Sequence, residues 1–336
     1  MAEGEDKVRI GFVGCGQHGT SIVYPSLRFT DLQLVATSSL VEDEAVRNAR
    51  QFGADRWHVR HDRLLADEPD LDAVLVVVQP FQYREIVLDV LGRGLPVYAE
   101  KPACGSVAEV TELVEASRST GLPVQVGFMK RFAPAYELMH AAIHEPEFGT
   151  PSFFSGTFAM GSDVYPDDYS FLVDNSVHMV DLAHYMMGEI ADLEVKRAEG
   201  KGGRVAYAVA LQFVSGAVGT LHLSTMQSWE SHNERVEITG EGSAAVVDNV
   251  VSFRQYAATG PGAAWEPNFT VPLDENHFVW VAGYGPELQH FADVVRGRCT
   301  PHVTIEDSRR ALEIVNRIFV AGGGVIAEGM KATILT

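Results

Sequence analysis

The chain has 336 residues, room for about two domains at roughly 150 residues each, and its 46% hydrophobic and 21% charged content is that of a folding globular protein, not a disordered one. A net charge of −19 repels phosphate backbones and anionic lipid, so neither nucleic acid nor a membrane surface is an expected partner. Three cysteines, Cys15, Cys104 and Cys299, stand far apart without the spacing of a metal site or a disulfide framework, which fits a reducing compartment.

The segment from Met1 to Lys7 is acidic and lacks the apolar stretch of a secretory signal, and no apolar run reaches the ~20 residues of a membrane span. A cytoplasmic location is the expectation. Up to about residue 127 short apolar runs alternate with longer helical ones, the pattern of a parallel sheet covered by helices. Strands are expected at Val8 to Val13, Leu32 to Ser38, Ala73 to Val78, Leu95 to Ala99 and Val124 to Phe128, with a weaker one near Trp57 to Val59. Apolar residues at helical spacing fall between them, around 19–29, 42–52, 82–93 and 106–120, with Ile86, Val87, Val90 and Leu91 as one stripe. Ser106 with Glu109 reads as a helix start, and Gly121 as its stop. Six strands with crossovers predict a doubly wound dinucleotide-binding domain over residues 1–127.

Beyond residue 128 the rhythm changes to a helix at about 134–143, a strand at 151–160 and a helix at 175–187. Val205 to Phe213, Ala217 to Leu223, Arg235 to Thr239, Ala244 to Asp248 and Val251 to Tyr256 then follow closely, separated by glycine-bearing turns. That succession predicts antiparallel hairpins. Ala257 to Pro267, rich in Gly, Pro and Ala, reads as a mobile loop, and helices near 284–297 and 306–321 finish a second domain over 128–336.

Directly after the first strand stands Gly14-Cys15-Gly16-Gln17-His18-Gly19, a GxGxxG match opening a helical segment. Gly14 allows the tight turn, Gly16 lets backbone approach a pyrophosphate, and Gly19 lets the helix pack on the strand. An NAD site usually carries Asp or Glu at the end of the second strand, to bind the ribose 2′-hydroxyl. Here Ser38 and Ser39 occupy that place, so NADP is slightly favoured over NAD, with Arg47 or Arg50 as possible phosphate partners.

Residues 97–102 end a strand on Glu100-Lys101-Pro102, and the carboxyl ends of strands in such sheets are where ligands sit. A lysine there donates to a substrate hydroxyl or eases its deprotonation. In the second half Asp174 and His178 lie four apart, with Asp181 three further on. On a helix these share a face, where an imidazole takes a hydroxyl proton and a carboxylate supports it. Asp181 reads as an orienting residue or cap, and His184 as structural. No metal is expected, since neither HExxH nor a Cys pair accompanies the cluster.

Taken together, Gly11 to Gly19, Glu100-Lys101-Pro102, Arg131-Phe132 with Pro134, and Asp174-x-x-x-His178 with Asp181 resemble the Gfo/Idh/MocA oxidoreductases. The resemblance implies a Rossmann domain followed by an α/β domain whose open, mostly antiparallel sheet carries substrate and often an oligomer interface, with the nicotinamide between the two. It assigns the catalytic work to Lys101, Asp174 and His178. Cofactor contacts are then expected from Gly14, Gly16, Gln17, His18, Gly19, Ser38, Ser39, Gln79, Pro80, Glu100 and Lys101. Two positions depart from the family pattern: Tyr83 stands where a histidine is common, and Lys130 where an asparagine usually precedes Arg131.

The expected function is therefore an NAD(P)-dependent oxidoreductase moving hydride between nicotinamide and a secondary alcohol or ketone of a sugar, sugar derivative or cyclitol. The alternatives are a redox-neutral NAD-dependent glycosidase of the same fold and a non-catalytic nucleotide-binding sensor or scaffold. A homo-oligomer, dimer or tetramer, is the expected assembly.

Overall fold

Strands buried on both faces need helices on both sides, and the computed structural model meets that need with two separately packed units. It describes residues 7–161, 165–227, 232–257, 260–270, 273–274, 277–327, 329–330 and 332. The first unit comprises the residues up to Phe128 together with Tyr284–Arg310, and the second comprises Met129–Gly283 together with the residues from Ala311 on. The expected division at residue 127 thus lacked a second crossing. Its cause is visible in packing: Leu288, Phe291 and Ala292 of the helix Tyr284–Val295 are buried in one cluster with Ile10, Phe12, Tyr24 and Tyr98. Burial of the Leu288 and Phe291 side chains contributes about 1.5–3 kcal/mol each, which ties the late helix to the early sheet.

The first unit holds a six-stranded sheet of β1 (Val8–Val13), β2 (Leu32–Ser39), β3 (Arg56–Val59), β4 (Ala73–Val76), β5 (Val97–Glu100) and β6 (Val124–Gly127). Its order is β3-β2-β1-β4-β5-β6, and every pairing is parallel. The order reverses between β1 and β4, so their carboxyl ends, at Val13 and Val76, flank the crevice where such sheets bind ligands. After β1 the chain runs through a π-helical turn Gly19–Val23, an α-helical Tyr24–Ser26 and a 3-10 turn Leu27–Phe29. The helix Val107–Thr120 starts where the Ser106 hydroxyl accepts from the Glu109 amide at 3.3 Å, and it stops at left-handed Gly121.

The second unit is built on an eight-stranded sheet ordered β14-β13-β12-β11-β7-β10-β9-β8. Its strands are β7 (Phe153–Ala159), β8 (Ile190–Glu199), β9 (Val205–Phe213), β10 (Val218–Ser224), β11 (Asn233–Thr239), β12 (Ser243–Asp248), β13 (Ser252–Ala257) and β14 (Gly260–Trp265). All pairings are antiparallel except that of β7 with β10, which is parallel. Strand β14 corrects the mobile loop expected over Ala257–Pro267, because that segment pairs with β13 as an edge; residues 258 and 259 lie outside the described residues. The helices Pro134–Ile143 and Val177–Met187 pack on one face of this sheet. On β9 and β10 the other face exposes Ala208, Ala210, Gln212, Val218, Thr220 and His222 in alternation with buried neighbours.

Candidate cofactor and catalytic sites

The turn after β1 is set by a glycine. Gly14 has φ +110°, and a Cβ there would lie 1.8 Å from the Val77 carbonyl oxygen, so no other residue fits. Its N–H donates to the Ser38 carbonyl at 2.8 Å, and its own carbonyl accepts from the Tyr24 hydroxyl at 3.2 Å. Cys15 lies beneath the same turn, its thiol pushed up to about 11 by burial, which makes it a packing residue and not a nucleophile. Gly16 and Gln17 are exposed and His18 half-buried. A Cβ on Gly16 would meet nothing within 4 Å, so the loop leaves open space above its backbone, as an approaching diphosphate requires. Gly19 differs from expectation: the nearest atom to a Cβ there is 3.5 Å away, an ordinary contact, so close helix packing does not demand glycine.

At the end of β2 Ser38 is fully buried, with its hydroxyl lacking a hydrogen-bond partner, while Ser39 is half-buried. The Ser39 hydroxyl donates to Glu44 Oε2 at 2.9 Å. A carboxylate therefore stands at this strand end after all, supplied by the next helix, whose first turn also holds Glu42 and Asp43. Arg47 and Arg50 are exposed on that helix. Glu44 was not legible as a cofactor residue in the sequence, because its hydrogen bond with Ser39 comes only from the packing of helix on strand.

Beyond β4, Gln79 and Pro80 open a short 3-10 turn in which the Gln79 amide donates to the Gln82 side chain at 3.2 Å. Tyr83 is buried, and its hydroxyl accepts from the Val78 N–H at 3.3 Å, so it braces this turn from within. At the end of β5 the Glu100 carboxylate is buried and accepts from the Lys101 N–H at 3.1 Å and from the Tyr98 hydroxyl at 3.0 Å. His18 Nε2 lies 3.5 Å from it. Lys101 is half-buried and joined to Pro102 by a cis peptide.

In the second unit Asp174 belongs to a π-helical turn, Leu172–Ser176, that runs into the α-helix Val177–Met187 carrying His178 and Asp181. Wide turns of this kind recur at functional sites because they redirect side chains out of helical register. Asp174 is 8% exposed and His178 5% exposed. Asp174 Oδ2 accepts from the Tyr165 hydroxyl at 3.0 Å, and Asn175 Nδ2 donates to the same phenol oxygen. Tyr165 was not singled out in the sequence, since nothing local ties it to Asp174. Asp181 is held by Arg131 in a buried two-point pair, Nε to Oδ2 at 2.9 Å, with the guanidinium over the Tyr185 ring at 4.9 Å. Its carboxylate is thus committed to orientation. Lys130 is buried against Glu234, which also accepts from the Tyr136 hydroxyl at 2.5 Å. The departure at position 130 is therefore a packed ion pair of the second unit's interior.

Residues 8–128 match the oxidoreductase family NAD-binding Rossmann fold, and residues 168–321 match its C-terminal alpha/beta domain. Over 333 residues the chain is 27% identical to scyllo-inositol 2-dehydrogenase (NAD(+)) of Bacillus subtilis, covering 92% of each chain. It is 28% identical over 318 residues to myo-inositol 2-dehydrogenase of Thermotoga maritima, covering 91% of this chain and 93% of that one. A dehydrogenase structure from Chromobacterium violaceum superposes with a TM-score of 0.85 at 21% identity, over 95% of this chain and 96% of the other. Among the described residues no helix is long and apolar enough to cross a membrane. With an NAD-binding unit on a reversed-order parallel sheet and a companion α/β unit, the chain belongs to the Gfo/Idh/MocA family of oxidoreductases.

Proposed function

We propose that this oxidoreductase is an NAD-dependent dehydrogenase of a cyclitol or closely related sugar alcohol, oxidising one secondary hydroxyl to a ketone. The observation that carries the reading is the wide turn Leu172–Ser176, which holds the buried carboxylate of Asp174 and runs directly into the helix that holds the buried imidazole of His178. A carboxylate and an imidazole four residues apart at such a turn are suited to proton transfer, which supports a catalytic role. The inositol dehydrogenases among the relatives supply the substrate class.

The Gly14 loop would hold the cofactor diphosphate, with Gly16, Gln17 and His18 facing it, Gly19 opening the helix behind, and Gln79 and Pro80 on the β4 side. The residues present fit that group, since the loop combines a turn only glycine can make with open space above Gly16. Bound nicotinamide supplies the hydride acceptor. Ser39 would serve the adenosine ribose, and the fully buried Ser38 would back that strand end from within. There the Glu44 carboxylate accepts from a 2′-hydroxyl and repels a 2′-phosphate, which favours NAD and reverses the slight preference for NADP drawn from the serines alone.

His178 is the residue proposed to take the proton of a reacting hydroxyl, and the Lys101 ammonium is proposed to donate to a substrate oxygen. Glu100 fixes the backbone that presents Lys101. Asp174, oriented by Tyr165, accepts from a neighbouring substrate hydroxyl. A homo-oligomer would cover the exposed face of β9 and β10, and light scattering reads its size. The test of function is reduced-nicotinamide absorbance over a panel of inositols, hexoses and their derivatives, with NAD and with NADP. Turnover on a cyclitol with NAD, lost in His178→Ala, is expected; silence over the whole panel would overturn the reading.

A further inference from the structure

Two helices of the first unit bring three metal-binding side chains together, none of them among the residues assigned to cofactor or substrate. The helix Tyr83–Gly92 carries Glu85 and Asp89 four residues apart, hence on one face, and the helix His61–Asp67 begins with His61. His61 Nε2 lies 2.8 Å from Asp89 Oδ2, and one ligand atom from each of the three residues lies within 4.8 Å of the other two. His61 is 7% exposed, whereas both acids are exposed, so the imidazole is held in place by its burial and the carboxylates have room to turn.

The charges at this place do not balance within the chain. Two carboxylates four apart on one helix repel each other. Among the described residues the ion pair that reaches these acids is that of Asp89 with His61, and an imidazole carries at most one positive charge against their two negative ones. Arg93, one turn beyond Asp89, is turned toward the other helix, where its Nη1 donates to the Leu65 carbonyl at 3.3 Å. A divalent cation would balance both acids. Asp89 also stands in the last turn of its helix, where the helix dipole favours positive charge.

The donor set selects the class of ion. One imidazole nitrogen with two carboxylate oxygens suits a first-row divalent ion such as Mn²⁺ or Zn²⁺, whereas Ca²⁺ asks for oxygen ligands throughout. Bonds of about 2.0–2.2 Å require the three atoms closer together than they stand, and rotation of the exposed Glu85 and Asp89 side chains closes that gap. Water completes the shell. We propose that His61, Glu85 and Asp89 form a site for a divalent transition-metal ion that clips the helix His61–Asp67 to the helix Tyr83–Gly92. The ion has a structural role and takes no part in hydride transfer. The sequence does not disclose the site, because the histidine and the acids lie on different elements and become neighbours only when the helices pack; it is separate from the Asp174 and His178 cluster, for which no metal is expected.

Mn²⁺ alone, added to the full chain and followed by electron paramagnetic resonance, tests the site without any activity, since the signal of the free aqueous ion fades as it binds. One saturable Mn²⁺ per chain is expected, held at least about tenfold more weakly by each of Glu85→Gln, Asp89→Asn and His61→Gln. Glu85 is exposed, so its substitution leaves the packed interior untouched. Glu194→Gln, which removes an exposed charge from β8, is expected to bind as the unsubstituted protein does. Thermal unfolding gives a second reading: Mn²⁺ should raise the Tm of the unsubstituted protein and, at the same concentration, that of Glu85→Gln less, because an ion that binds only the folded chain stabilises it. An equal rise in both overturns the clip. Absence of saturable binding at millimolar Mn²⁺ overturns the proposal. So does binding that Glu85→Gln leaves unaltered, which reduces the cluster to an ordinary ion pair of His61 with Asp89, and so does binding that Glu194→Gln weakens equally, which reduces it to diffuse attraction toward an acidic chain.

Discussion

The hydroxyl of Ser39 donates to the carboxylate of Glu44 at 2.9 Å, which returns an acid to the strand end where the sequence has only serines. In the proposed reading, discrimination against a 2′-phosphate would rest on Glu44, with Glu42 and Asp43 in the same helical turn adding to the negative field. Glu44→Gln is expected to lower the ratio of kcat/KM for NAD to that for NADP by on the order of tenfold, about 1.4 kcal/mol. Steady-state kinetics with both cofactors measures it; an unchanged ratio would remove Glu44 from cofactor choice.

The glycines of the first loop are not equivalent. Gly14→Ala forces a Cβ to within 1.8 Å of the Val77 carbonyl and strains a φ of +110°, so a loss of at least about 2 kcal/mol in stability is expected, with NAD binding abolished. Gly19→Ala meets only a 3.5 Å contact and should melt within about 0.5 kcal/mol of the parent. Thermal unfolding and cofactor titration of the two variants separate the cases.

Lys130 and Glu234 are both 5% exposed, and the pair is shared with Tyr136. Lys130→Asn, which restores the residue common elsewhere in the family, leaves a buried carboxylate without its cation and is expected to cost about 3–5 kcal/mol. Lys130→Met combined with Glu234→Gln should recover much of that loss, because no lone charge remains. Denaturant unfolding of the single and double variants checks both statements.

Asp31 pairs with Arg296 at 2.8 Å and takes part in anchoring the chain just beyond the helix Tyr284–Val295. The hydrogen bond from Arg296 holds the Asp31 carboxyl below its usual range, outweighing burial. Its contribution is therefore present above the unfolded value of about 3.9 and lost as pH falls through the lowered folded value. Asp31 is 47% exposed, so solvent screening limits the contribution to roughly 0.2–1 kcal/mol. Asp31→Asn should be less stable by that amount at neutral pH, with the difference closing in acid and in high salt.

What the sequence made legible follows burial. β4 is buried at every residue from Ala73 to Val76 and reads as a continuous apolar run, so the parallel sheet was plain. β8 was not, because it is an edge strand on which Glu194 and Lys196 alternate with half-buried Leu193 and Val195, a pattern too polar to stand out. The loop glycines, Lys101, Asp174 and His178 were visible as local motifs. Glu44 and Tyr165 were not: each acquires meaning only from a partner on another element, Ser39 and Asp174 respectively.

The proposed chemistry depends most directly on Lys101. Its removal is measured by NAD titration and cyclitol turnover on one preparation of Lys101→Ala. Turnover should fall by at least about a hundredfold while the Kd for NAD stays within a few-fold, as removal of a group acting on the reacting oxygen requires. Full turnover in that variant would contradict the account.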